Sequence, residues 1–218
     1  MILLWSVLLA LAGAPDSEQL EYSINWPSGL NLGEGKLLFS RQGERIEMEL
    51  ALEAAVPGFS VTDTYRSIAS PDLCSLEADK NAVHGKRIAR EKTVFDSQRG
   101  AATRSTVGGG SSQIQIPSCP RDALAFLFFV RQELAKGRVP PPQTVYFGSA
   151  YQVRLQYGGT QKMIVGSEAV EVDKLVGSAK GPASESSFEV YFARDAARTP
   201  VVVKVPLAMG VFSMEIVR

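Results

Sequence analysis

The sequence has one histidine, His84, and two cysteines, Cys74 and Cys119, among 218 residues, and its 23 Lys and Arg balance 23 Asp and Glu. Each scarcity excludes something. A His/Cys metal cluster or zinc ribbon needs more ligands than three scattered residues supply, so neither a metal nor another cofactor is expected. A nucleic-acid binder carries a basic excess that is missing here. With 45% hydrophobic residues and no net charge, the chain is too apolar to stay disordered. No apolar run reaches the roughly 20 residues that a membrane-spanning helix requires, so no transmembrane span is expected. The patterns G-x-x-x-x-G-K-[ST], G-x-S-x-G and H-E-x-x-H do not occur, and the triple glycine at 108–110 lacks the lysine of a phosphate cradle. His84 precedes Gly85 in a basic stretch and reads as an exposed hairpin tip, whereas a catalytic triad needs a histidine held by a carboxylate and touching a nucleophile. Carboxylate pairs such as Glu47 with Glu49, or Glu171 with Asp173, fall on the solvent side of alternating strands. The chain is therefore read as not an enzyme.

The longest apolar run, residues 1–14, has the length of a secretory h-region. Ala10 and Ala12 satisfy the small-x-small rule for cleavage after Ala12. The expected organisation is a signal peptide at 1–12 followed by a single exported antiparallel β-domain at 13–218, periplasmic or associated with the outer envelope. A short buried first element is the other reading of the run. Neither the glycine–serine stretch at 108–112 nor the prolines at 140–142 are long enough to separate domains. In an oxidising compartment Cys74 and Cys119 have a single possible intramolecular pairing. Two buried free thiols remain the alternative.

Period-two alternation dominates the chain. Leu20, Tyr22, Ile24 and Trp26 alternate with Glu21, Ser23 and Asn25, and Ile46, Met48, Leu50 and Leu52 alternate with Glu47, Glu49, Ala51 and Glu53. Such strands bury one face only. The pattern returns at 151–157, 188–192 and 212–216, with weaker candidates between, and Gln42-Gly43, His84-Gly85, Arg99-Gly100, Gly158-Gly159 and Met209-Gly210 read as turns. Residues 121–136 break the rhythm: Pro120 and Asp122 open the segment, good helix formers fill it, and Gly137 ends it. From Ala123 to Val130 it is apolar all round, so it must be surrounded. The fold class expected is mainly β: a curved antiparallel sheet or partly closed β-barrel wrapped around one apolar α-helix at about 121–136.

Several residues together resemble a known family. They are Tyr22-x-Ile24-x-Trp26, Gly29-Leu30-x-Leu32-Gly33, Phe95-Asp96, Asp122-x-Leu124 running through aromatics to Arg131, Asp195, Pro200-Val201 and Gly210. Their order and spacing resemble the bacterial exported domain of unknown function 3108 family across nearly the whole mature chain. The resemblance implies a single exported, mostly antiparallel β-domain and brings no activity with it. The chain departs from the family pattern in the helix, where hydroxyl residues often found there are replaced by Ala125, Phe128 and Phe129.

Two functional readings follow. In the first, a non-catalytic envelope protein binds an apolar or lipid-like ligand inside the half-barrel, with Tyr22, Trp26, Phe126, Phe129, Tyr151 and Phe188 as lining residues; a close-packed core filled by the same aromatics is the plainer reading of those residues. In the second, a structural or assembly protein of the envelope binds a protein partner through a strand edge or through the hairpin at 80–104. That hairpin carries seven basic residues against Glu91 and Asp96. Lys86, Arg87, Arg90 and Lys92 are the candidate contacts to an anionic surface, with a solvated strand face as the plain alternative. The oligomeric state is left open.

Overall fold

The computed structural model describes residues 16–56, 58–207 and 210–217. The signal-peptide segment at 1–12 and Met209 of the Met209-Gly210 turn lie outside the described residues. Eight strands follow in sequence: β1 (Ser17–Asn25), β2 (Asn31–Gln42), β3 (Arg45–Val56), β4 (Phe59–Ala69), β5 (Ser75–His84), β6 (Arg87–Asp96), β7 (Ala101–Thr106) and β8 (Ser111–Gln115). A short β9 (Arg121–Asp122) then leads into helix α1 (Ala123–Ala135). Six strands complete the chain: β10 (Gln143–Phe147), β11 (Ser149–Val165), β12 (Glu168–Lys180), β13 (Glu185–Ala193), β14 (Pro200–Leu207) and β15 (Gly210–Ile216).

The two meanders join because β15 pairs with β1, giving one sheet in the order β8-β7-β6-β5-β4-β3-β2-β1-β15-β14-β13-β12-β11-β10-β9. All ladders are antiparallel except β9 with β10, whose connection runs through α1, as a parallel pair needs a long crossover. No ladder joins β8 to β9 among the described residues, so the barrel is not closed. Its ends approach through side chains instead: Tyr146 of β10 packs on Phe95 and Ala102 of β6 and β7, beside Ile114 and Ile116.

The helix is shorter than its sequence pattern. Asp122 has extended backbone and caps α1, its carboxylate accepting from the Leu124 and Ala125 amides, so Arg121 and Asp122 belong to β9. An aspartate N-cap takes non-helical geometry by design of its hydrogen bond. One side of α1, Leu124, Ala125 and Phe128, packs with Tyr22, Leu37, Ile46, Met48, Ala69 and Leu73. The other side, Phe126, Val130 and Leu134, packs with Val145, Val153, Leu175, Val190 and Phe192. Both halves of the sheet are therefore held on one central element, each large side chain contributing about 1.5–3 kcal/mol of burial.

Gly158-Gly159 is not a turn between strands. β11 runs through it, with Tyr157 opposite Leu175 and Thr160 opposite Asp173. Two glycines therefore face one residue, Lys174, across a bulge, and Gly159 has φ +99°, a conformation glycine adopts without a Cβ penalty. Cys74 and Cys119 form a disulfide that ties the turn after β4 to the segment before β9. Beside it the Ser75 amide donates to the Pro120 carbonyl at 2.8 Å.

Candidate functional site

The concave face changes character along the sheet. On β3 the inward residues Ile46, Met48, Leu50 and Leu52 are apolar. The cross-strand register continues Leu50 to Tyr65, Tyr65 to Lys80 and Lys80 to Glu91. Apart from Phe95, the inward positions on β5 to β7 beside this register, such as Ala78, Thr93, Ala102 and Arg104, are small, polar or charged, and these cannot fill the interior. What remains is a cavity of about 300 Å³ between the first turn of α1, strands β3 to β8 and the β10–β11 turn. Its apolar walls include Leu50, Leu52, Ala78, Phe95, Ile114 and Leu124, and Tyr65, Tyr146 and Phe147 supply aromatic faces. Lys80, Glu91 and Arg104 bring charge to the same wall. The Arg104 Nε lies 2.8 Å from a Glu91 carboxylate oxygen, and Lys80 sits 5.2 Å over the Phe147 ring.

Asp122 lines the cavity at the helix end and is buried. Ser67 and Ser75 hydroxyls donate to it at 2.5 and 2.6 Å, and the Leu124 and Ala125 amides at 2.9 and 3.2 Å. Burial pushes this carboxyl above its ordinary range against the four hydrogen bonds. The charge is spent on holding the helix to β4 and β5.

His84 is not a free hairpin tip. Its Nε2 lies 2.9 and 3.0 Å from the two oxygens of buried Asp63, to which the Tyr65 hydroxyl also donates at 2.9 Å. Alternation places His84 and Asp63 on one face of the β4–β5 hairpin, a proximity the isolated stretch around His84 does not reveal. Burial, then the Asp63 charge, pushes the Tyr65 hydroxyl up. Among the described residues no serine, threonine or cysteine side chain bonds to His84.

The six aromatics singled out from sequence occupy the packed interior and its ends rather than this cavity. Tyr22 and Phe126 are buried in the two clusters around α1, against which Phe129, Tyr151 and Phe188 pack. Trp26 meets Phe212 edge-on at 4.9 Å. Apart from Leu50 and Leu52, the apolar wall comes mostly from the weaker strand segments, where alanine and threonine dilute the alternation. The basic hairpin is also divided by alternation. Arg90 and Lys92 lie on the convex face, where Arg90 bonds Asn81 and Lys92 pairs with Glu77; Arg87 shares the concave parity of Lys80, and Lys86 is in the exposed turn. Lys86, Arg87, Arg90 and Lys92 therefore form no single face.

Glu47 is exposed, but Asp173 does not lie on a solvated sheet face with Glu171. It is buried beneath the loop that follows β13 and bonds Tyr157, Thr160 and Arg198 at 3.0, 2.7 and 2.8 Å. Burial alone would raise its carboxyl; the Thr160 and Tyr157 hydroxyls and the Arg194 and Arg198 charges hold it below the usual value. A carboxyl lowered in the folded state contributes stability above its unfolded value, about 3.9, that is lost as pH falls through the folded value. Asp173→Asn is expected to cost about 1–3 kcal/mol near neutrality. Denaturant unfolding from pH 7 to 2 should show the difference from wild type shrinking below about pH 4; a constant difference would contradict this role.

A search of curated proteins finds no match. Among solved structures, the β-barrel-like protein of domain of unknown function DUF1849 from Brucella abortus superposes with a TM-score of 0.65, covering 92% of this chain and 95% of that chain at 7% identity. That likeness shows the fold. No helix among the described residues is long and apolar enough to cross a membrane. The sequence profile of the family described as Protein of unknown function (DUF3108) matches residues 21–217, and the chain belongs to that family.

Proposed function

We propose that this protein is an exported, non-catalytic component of the cell envelope that binds an apolar or lipid-like ligand in the cavity between α1 and β3 to β8. The cavity carries the reading. About 300 Å³ is the lower end of the range for small-molecule sites, and a mostly apolar wall with a few polar groups is how such sites are built. The disulfide supports export, because such bonds persist in oxidising compartments. His84 supports a non-catalytic role: its bonds end on Asp63, and a histidine without a nucleophile beside it has no proton to take in acyl transfer. Protein isolated from an envelope extract and sprayed under native conditions should carry adducts of lipid mass that disappear on denaturation. A clean apo mass from several preparations would overturn the reading. Loss of export when residues 1–12 are deleted would support the compartment, and unchanged export would oppose it.

A further inference from the structure

We propose that the ligand is a single-chain amphiphile with an anionic head group, its chain against the apolar wall and its head at Lys80 and Arg104. This rests on the cavity being a ligand site. Two cations and one carboxylate meet on the concave wall of β5 to β7, and the carboxylate, Glu91, is already engaged with Arg104 at 2.8 Å. Lys80 has no carboxylate partner among the described residues. Its ammonium lies over the face of Phe147 at 5.2 Å, and that ring is 41% exposed. A cation held by a ring face keeps its hydrogen-bond donors for an incoming acceptor.

The other charges bordering the cavity are committed elsewhere. Arg66 and Asp79 are cross-strand neighbours on the convex parity of β4 and β5, and Arg66 pairs with Glu49. Asp122, at the helix end, is covered by four donors. The helix-end amides are thus already taken and offer an anionic head no free donor, whereas Lys80 does, which orients the ligand. The modest volume accommodates one chain better than two.

Four probes with the same chain test this by calorimetric titration of the folded protein: dodecanoate, dodecyl phosphate, dodecanol and dodecyltrimethylammonium. The expected result is that at least one anion binds about tenfold or more tightly than the alcohol and the ammonium, a charge-assisted contact exceeding a neutral one by at least about 1.4 kcal/mol. Comparing the two anions identifies a carboxylate or a phosphate head. Lys80→Met should remove most of the preference with unchanged melting, and Lys80→Arg should restore it. Equal affinity for dodecanoate, dodecyl phosphate and dodecanol, or preference for the ammonium, would overturn the anionic head while leaving an apolar site intact. Failure of all four to bind would remove the ligand site itself.

Discussion

Asp122→Ala is expected to cost about 3–7 kcal/mol of folding stability, a sum of about 1 kcal/mol for the lost helix cap and about 1–3 for each of the two buried hydroxyls left without their acceptor. Ser67 and Ser75 both direct their hydroxyls at one oxygen of Asp122, while the Leu124 and Ala125 amides take the other. Ser75 also accepts from the Asp122 amide at 2.7 Å. One side chain thus fixes the start of α1 to β4 and β5. Asp122→Asn keeps an oxygen for the amides but offers an NH2 to the serines, so it should lose about half as much. The pH dependence should have the opposite sign to that of Asp173. Because burial raises the Asp122 carboxyl in the fold, the cost of its charge is present at higher pH and is relieved as pH falls through the folded value. Urea unfolding of wild type and both variants measures these differences. A loss below 1 kcal/mol for Asp122→Ala would show that the helix is held by apolar packing alone.

Removing the disulfide by the double change Cys74→Ser and Cys119→Ser should destabilise by a comparable amount, about 4 kcal/mol for a closed loop of this length in the chain-entropy account. The bond spans 45 residues of sequence, comprising β5 to β8, the end of the sheet whose inward face is least apolar. Its buried apolar side chains are mainly Ala82, Phe95 and Ala102, which leaves little packing to replace the covalent constraint. Against a typical total of about 5–15 kcal/mol, either change brings the fold near its limit. Cys74 adjoins Ser75, and Cys119 lies three residues before Asp122, so the two effects should not add. A double-mutant cycle over Asp122 and the cysteines should give a coupling of about 0.5–3 kcal/mol. Strict additivity would mean that bond and carboxylate act independently.

The residues that carry the family resemblance explain why the fold was more legible than the site. Tyr22 donates its hydroxyl to the Pro200 carbonyl at 2.8 Å, joining two of the motif pieces across 178 positions. Arg131, buried within α1, grips both oxygens of Glu18 at 2.6 and 2.8 Å and donates to the Ala197 carbonyl at 2.9 Å. Asp195 accepts from the Thr199 amide, and Asp96 from the Arg99 amide. A Cβ at Gly33 would stand 1.9 Å from the Glu53 carbonyl, so only glycine fits beside β3. Phe95 packs edge-on against Tyr146 at 5.6 Å and brings the two ends of the unclosed sheet into side-chain contact. These motif residues serve the architecture, and their recognisable pattern says how the chain folds.

The cavity was less legible for a physical reason. Its wall is assembled from one to three residues of each of several strands and from a turn nearly 100 positions away from Leu50 and Leu52. Small inward residues such as Ala78, Ala82 and Ala102 leave room without leaving a hydrophobic signature. Strongly alternating aromatics instead fill the close-packed regions, because a regular apolar face packs well against α1. Likewise Asp173 lost its expected place on the solvated face when the Gly158-Gly159 bulge set Tyr157 and Thr160 together over it.

The most direct test of the cavity as a ligand site is to fill it without disturbing its supports. Ala78 lines the cavity on β5, between the Asp122 contacts and Lys80. A fluorescent single-chain fatty-acid probe titrated into wild type and Ala78→Phe, with circular dichroism showing the same fold, reads occupancy directly. The predicted result is saturable binding to wild type at one site per chain and at least about tenfold weaker binding to the filled variant; equal binding to both, or none to wild type, would contradict it.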